Sequence, residues 1–267
     1  MHEFQHLTIG EPAGGIVHIQ LNRPPANAVN RDMYIELADA FGDIDRLSAN
    51  ARVAILSGVG KHFCAGNDLD EFATMTPENG AERMWRVREA FYAISGCKVP
   101  VIGAIQGAAL GTGLALAASC DFVVASRESS FGLPELTVGV MGGARHLARM
   151  APQPLVRRMY FTGQPLPAAE FEAAGAAIIV CEPDELIAQA TAFATRIASY
   201  SPTAVRVSKR ILDRIEFMDL TSGYAFEQAG TVRMSGYPDS KEALAAFREK
   251  RAPDYAPLDR DGRWHGA

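Results

Sequence analysis

The chain of 267 residues has no apolar run approaching the ~18–20 residues that a bilayer-spanning helix needs. It has no basic stripe either: FREKR at 247–251 is the nearest, it is short and interrupted, and the formal charge is −5. Neither a nucleic-acid partner nor a membrane is therefore expected. The four cysteines, Cys64, Cys97, Cys120 and Cys181, form no C-x-x-C and stand at no zinc spacing with histidine. That pattern argues for reduced thiols in a cytoplasmic setting and for no metal. His2 and His6 stand four apart, but at a terminus where fraying is expected. The opening MHEFQHLTIGEP shows no basic region leading into an apolar core, so no secretory signal is read. There is no internal repeat and no low-complexity linker. Gly60-Lys61 lacks the earlier glycine of a phosphate loop and is followed by His62 rather than Ser or Thr. No G-x-S-x-G elbow is present. Ser119 and Cys120 fall at the end of an apolar helical run and read as core, which leaves no Ser or Cys nucleophile.

What is present is an ordinary globular composition, 48% hydrophobic and 21% charged, in a chain long enough to bury a large core. Residues 4–9 and 16–21 read as two strands joined through EPAGG. After the proline-rich NRPPANAVNRD, the residues Met33, Leu37, Ala40, Phe41, Ile44 and Leu47 recur at helical spacing. VAILSG (53–58), PVIGAIQG (100–107), DFVVAS (121–126) and AAIIVCE (176–182) read as further strands, with an amphipathic helix over 81–94. The last third is mostly helical, with helices over about 184–199, 202–216, 220–235 and 241–250, and a tail of loop composition. The layout is a sheet-rich α/β first two-thirds followed by a helical third.

Three stretches carry chemistry. HFCAGNDLDEF (62–72) puts Ala65-Gly66-Asn67 in a tight turn after a strand, and Gly and Asn tolerate left-handed backbone that aims amides outward. Taken alone it is equally an ordinary strand-to-helix turn capped by Asp68. LGTGLALAASCDF (110–122) sets Gly111-Thr112-Gly113 at a helix N-terminus, where N–H donors are unpaired. The two glycines suit either close approach of a ligand or close helix–strand packing. In FGLPELTVG (131–139), Glu135 stands between Pro134 and an apolar run. A carboxylate aimed into a dry pocket there has a raised pKa and suits proton transfer near neutrality; capping or surface exposure is the alternative.

LNRPPANAVN, KHFCAGNDL, GAALGTGLALAASCDFVVAS and FGLPELTVGVMGGARHLARM follow one another in this order, and YPDSKEALAAFREKRAPDY closes the chain. Together these segments resemble the crotonase superfamily of enoyl-CoA hydratases and isomerases, over nearly the whole length. The resemblance implies an α/β fold, a crotonase-type β-β-α spiral over 1–200, with a C-terminal helical trimerisation region over 201–267. It also implies assembly as a homotrimer or homohexamer.

The resemblance further implies an acyl-CoA thioester substrate whose enolate oxygen is held by two backbone amides, matched here by Asn67 and Thr112. It implies no cofactor beyond the coenzyme A of the substrate. Thr112 stands where the family more often has glycine, so Thr112 is expected to keep negative φ, with the strain carried by Gly111 or Gly113. Family hydratases use two carboxylates: one matches Glu135, the other matches Ala115, which cannot hold or deprotonate water. Isomerisation of an enoyl-CoA double bond by Glu135 alone is therefore the favoured reaction. The alternatives are a hydratase or other enolate-forming lyase with a different acid from among Asp70, Glu71, Glu89 and the Arg145-His146 pair, or a non-catalytic CoA- or RNA-binding homologue. Pro25, Ala26, Lys61, Ala65, Gly66 and Gly111 match positions that meet the CoA and thioester, and Phe247 and Lys250 match C-terminal positions that reach CoA, often in a neighbouring subunit. Arg145 and His146 are candidates for the acyl pocket or for a substrate carboxylate, against the reading as a solvated first helical turn.

Overall fold

In the computed structural model, which describes residues 4–10 and 13–255, an antiparallel pair opens the fold: β1 (Leu7–Ile9) and β2 (Ile16–Leu21). Helix α1 (Arg31–Gly42) returns the chain to β3 (Val53–Gly58), and helices α2 (Leu69–Phe72) and α3 (Pro77–Ser95) follow. Then a unit of two strands and a helix appears, β4 (Val101–Ile105), β5 (Ala108–Leu110) and α4 (Thr112–Ser119). It recurs as β6 (Phe122–Ser126), β7 (Ser130–Gly132), a 3-10 turn at Glu135–Val138 and α5 (Ala144–Met150). The chain continues through α6 (Gln153–Thr162), β8 (Leu166–Pro167), α7 (Ala168–Ala173), β9 (Ile178–Cys181) and α8 (Leu186–Ala198). Three helices close it: α9 (Pro202–Ile215), α10 (Leu220–Met234) and α11 (Pro238–Glu249).

In each β-β-α unit the first strand joins a six-stranded sheet, ordered β1-β2-β3-β4-β6-β9, and the second joins a three-stranded sheet, ordered β5-β7-β8. From β2 to β9 the large sheet is parallel. This is the expected α/β spiral with a helical C-terminal region. Parallel strands covered on both faces read as unbroken apolar runs, and every residue of β3 and β4 is buried. One face, including Ala54, Leu56, Val101 and Ile105, packs with Met33, Leu37 and Phe41 of α1 and Ile94 of α3. The other, including Val53, Ile55, Ile102 and Val124, packs with Leu186, Ala190 and Ala194 of α8, four residues apart on one helical stripe.

Several boundaries differ from the sequence reading. The first strand covers only Leu7–Ile9, and the first helix ends at Gly42, with Ile44–Arg46 in a separate 3-10 turn. The strand read over 100–107 stops at Ile105, and 108–110 is a short strand because β7 pairs with it in register. The last helix starts at Pro238, with that proline in the first turn, rather than at 241. Of the terminal tail, 252–255 has no regular structure and the rest lies outside the described residues, as does His2.

Helix α9 docks on the spiral through buried cations. The Lys209 ammonium reaches Asp121 at 3.0 Å and Asp213 at 2.7 Å, and Arg206 reaches Asp45 at 2.6 Å. Beyond it, α10 leaves Leu220, Tyr224, Phe226 and Val232 exposed. Among the described residues no helix is long and apolar enough to cross a membrane.

Candidate active site

The 64–68 turn is fixed from both sides by main-chain hydrogen bonds. Val29 N–H donates to the Gly66 carbonyl and Asp68 N–H to the Val29 carbonyl, both at 2.9 Å, while Leu110 N–H donates to the Cys64 carbonyl at 3.0 Å. Asn27, buried and at φ 53°, ties the proline-rich loop to the same region: its Nδ2 donates to the carbonyls of Val59 at 3.0 Å and His62 at 2.8 Å. The two loops therefore approach β5 and the start of α4 as one assembly.

The glycines at the mouth of α4 divide the two roles that the sequence left open. Gly113 serves packing, since a Cβ there would overlap the Cys64 carbonyl oxygen. Gly111 carries the strained backbone at φ 54°, and a Cβ on it would lie 3.1 Å from Glu135 Oε1. Thr112 is not among the positive-φ residues, as expected; Gly66 is, at φ 121°. Among the described residues, neither the Asn67 nor the Thr112 peptide N–H donates a hydrogen bond. Two unengaged donors thus stand on segments locked to each other, one at a helix N-terminus. Such a pair suits an oxygen that gains negative charge.

Glu135 opens the 3-10 turn after Pro134, and its Oε1 lies near Gly111, Gly142 and Gly143, where the absence of side chains makes room for it. Its Oε2 is buried without a hydrogen-bond partner among the described residues. Burial pushes this carboxyl above the ordinary glutamate value. Capping and surface exposure do not describe it. Ala115 is buried one turn into α4, and its methyl offers no polar atom.

The other acid candidates are engaged or exposed. Glu71 accepts from Arg31 N–H at 2.8 Å and pairs with Arg83 at 3.3 Å, Glu89 pairs with Arg86 at 3.3 Å, and Asp70 is exposed. Arg145 and His146 line a cavity of about 350 Å³ with Tyr92, Ser119 and Phe217. The Arg145 guanidinium lies 5.4 Å from the centre of the Phe217 ring, and the His146 ring lies 4.8 Å from that of Phe91. Burial, helped by Arg149 and Arg145, lowers the His146 pKa and so favours the neutral imidazole. Ser119 stands on the α4 face that carries Thr112 and Ala115, so this cavity lies further along the same helix.

Pro25, Lys61 and Ala65 are exposed, Ala26 is partly so, and the Ala65 N–H donates to the Ala26 carbonyl at 3.0 Å. Ala26 and Ala65 thus lie side by side next to Gly66, and Asn27 ties the chain on either side of Lys61 to the same loop. Phe247 and Lys250 sit at the end of α11, which is fastened near α9 by a 2.6 Å hydrogen bond from Ser201 to Asp239. Phe247 is 81% exposed. No hydrogen bond or ring contact among the described residues brings that pair to these positions within one chain.

Sequence reasoning missed Tyr34. Its hydroxyl donates to Asn67 Oδ1 at 2.6 Å and lies 2.9 Å from Thr112 Oγ1, so it joins the side chains of the two residues whose amides are unengaged. The one signal was a phenol beside Met33 and Leu37 on the buried face of α1, where a hydroxyl needs a partner.

Residues 11–257 match the enoyl-CoA hydratase/isomerase family. The short-chain-enoyl-CoA hydratase of Clostridium acetobutylicum is 34% identical over 246 residues, 90% of this chain and 94% of that protein. The (7aS)-7a-methyl-1,5-dioxo-2,3,5,6,7,7a-hexahydro-1H-indene-carboxyl-CoA hydrolase of Mycobacterium tuberculosis is 33% identical over 250 residues, 91% of this chain and 99% of that protein. Among solved structures, an enoyl-CoA hydratase from Bacillus anthracis shares the fold with a TM-score of 0.88 at 33% identity, over 94% of this chain and 99% of that one.

Proposed function

The chain belongs to the enoyl-CoA hydratase/isomerase family, and from that membership we propose that it moves the double bond of an enoyl-CoA thioester, with Glu135 as its single acid–base group. The observation that carries the reading is the Glu135 carboxyl, buried on one oxygen without a partner among the described residues and set beside Gly111 at the mouth of α4, the helix in which position 115 offers only a methyl. A carboxylate so placed takes a proton from Cα of a 3-enoyl thioester. The electron pair moves into the thioester carbonyl, and the resulting dienolate oxygen is held by the N–H groups of Asn67 and Thr112. Glu135 then returns the same proton to Cγ, which leaves the double bond between Cα and Cβ. No other reactant is consumed, and coenzyme A arrives with the substrate.

The loop positions Pro25, Ala26, Lys61 and Ala65 support a CoA path beside Gly66 and Gly111, with Lys61 as a point charge for phosphate. Phe247 and Lys250 complete that path in this reading when α11 of a second copy is alongside. The exposed apolar side chains of α10 support self-association as a trimer or a dimer of trimers. Arg145 and His146 would border the far end of the acyl chain, where an arginine suits a carboxylate. Four buried free thiols suit a reducing compartment such as the cytoplasm.

The hydratase names of two of the relatives above favour a second reading, hydration of a 2-enoyl-CoA. It would need water to be held by some group other than residue 115. Parallel assays of 3-hexenoyl-CoA isomerisation and crotonyl-CoA hydration separate the two. Glu135→Gln is expected to slow isomerisation by ~10²–10⁴-fold, the range for removal of a positioned acid–base group. The wild-type rate is expected to fall on acidification, because the base must be ionised, along a limb lying above the ordinary glutamate value of 4.5. A Glu135→Gln enzyme within tenfold of wild type in single turnover removes Glu135 from the mechanism.

A further inference from the structure

We propose that Tyr34 is a positioning residue that clasps the two halves of the oxyanion hole; the inference rests on the reading of Asn67 and Thr112 as its donors. The two amides belong to separate segments, the 64–68 turn and the first turn of α4. Below them Leu110 N–H and the Cys64 carbonyl hold the segments together, but nothing in that bond fixes the spacing at the top. Tyr34 does so from the side-chain end. It has one proton, which goes to Asn67 Oδ1, so the contact with Thr112 Oγ1 is one in which the threonine hydroxyl donates. The result is a directional chain, Thr112 to Tyr34 to Asn67, in which each bond polarises the next. It also leaves neither side-chain oxygen without a partner.

The phenol is well suited to this task. It is buried, and its ring meets Phe91 of α3 edge-on with centroids 6.3 Å apart at 82°. Burial pushes its pKa far up, so the chain stays neutral across any working pH. A donor pair pays for its effect through preorganisation, and an error of ~0.5 Å in its spacing is enough to matter. Tyr34→Phe keeps the ring and its packing and removes only the hydroxyl.

The test uses acetoacetyl-CoA bound to the whole protein, with its enolate followed by near-ultraviolet absorbance against pH, alongside turnover of 3-hexenoyl-CoA. In the wild type the enolate is expected to form at lower pH than in free acetoacetyl-CoA. Tyr34→Phe is expected to raise that midpoint by about one pH unit and to lower kcat by ~10-fold, with KM changed less than 2-fold. Thr112→Val keeps the peptide N–H, loses only the hydroxyl link, and is expected to shift the midpoint in the same direction; it carries the test should Tyr34→Phe not fold. A wild-type midpoint below that of the free thioester, retained in the folded variants, overturns the clasp alone. A wild-type midpoint no lower than that of the free thioester overturns the hole and the clasp with it.

Discussion

Lys209 and Glu135 are both ionisable side chains taken out of water, and the fold treats them in opposite ways. Lys209 is 2% exposed, yet Asp121 and Asp213 stand at 3.0 and 2.7 Å and the Ser95 carbonyl also accepts from it. Burial alone would lower its pKa; the two carboxylates outweigh that and hold it above the ordinary lysine value. Among the described residues no cation shifts Glu135, and one of its oxygens has no partner. Burial raises its pKa, and only its own backbone N–H works the other way. The contrast separates two uses of a buried charge. A group answered on every side holds α9 to the spiral; a group left unanswered is available for a proton.

The widest break in that comparison is expected at Lys209. Removing one member of a buried pair strands the other charges, so Lys209→Met should cost about 3 kcal/mol in chemical denaturation. Turnover per folded molecule should stay near wild type. An equal loss of stability in Glu135→Gln would erase the distinction. Gly113→Ala comes next. A Cβ against the Cys64 carbonyl forces α4 away from the 64–68 turn, at ~1–3 kcal/mol of stability for overpacking. Because the same displacement separates the proposed donors, kcat should fall by an order of magnitude or more; unaltered kinetics in a folded Gly113→Ala would show that the spacing of the segments is immaterial.

The finest effect is linked to pH. Since the folded-state pKa of Glu135 is raised, the native protein binds that proton more tightly than the unfolded chain does. The associated stability is complete below the ordinary value of 4.5 and is lost as pH rises through the folded value. Glu135→Gln, which is neutral throughout, should therefore melt above wild type near pH 8, on the order of 1–3 °C. The gap should close below pH 4.5. A gap of the opposite sign would mean that the carboxylate is stabilised in the native state by something unseen.

The parts of this fold that repeat an apolar pattern were legible in the sequence. Ile16–Leu21 and Val53–Gly58 begin and end where the sequence suggests: in the first, buried and half-buried residues alternate, and in the second every residue is buried, as in a strand covered on both faces. Helices α8, α9 and α10 fall within two residues of expectation. The three-residue strands β5 and β7 left no such trace; AAL and SFG become strands only because each supplies the other's hydrogen bonds. At the site, Glu135 could be singled out from its apolar flanks, and Gly111 from the cost of a positive φ at threonine. Tyr34 could not. Its partners, Asn67 and Thr112, are brought to it by tertiary packing, and a phenol on a buried helical stripe looks like any other core residue until both are in place. The cavity between Ser119 and the Arg145-His146 pair was hidden for the same reason.

The N–H groups of Asn67 and Thr112, unengaged among the described residues, belong to the peptide unit and not to any side chain. Every amino acid except proline supplies that group, so a point mutation in the codons for 67 or 112 nearly always passes it on intact. A carboxylate enjoys no such protection, since one changed base can turn a glutamate codon into one for alanine. On the proposed reading, the means of tolerating an enolate are inherited by default on this scaffold, and the proton chemistry performed on it is free to be rewritten a single letter at a time.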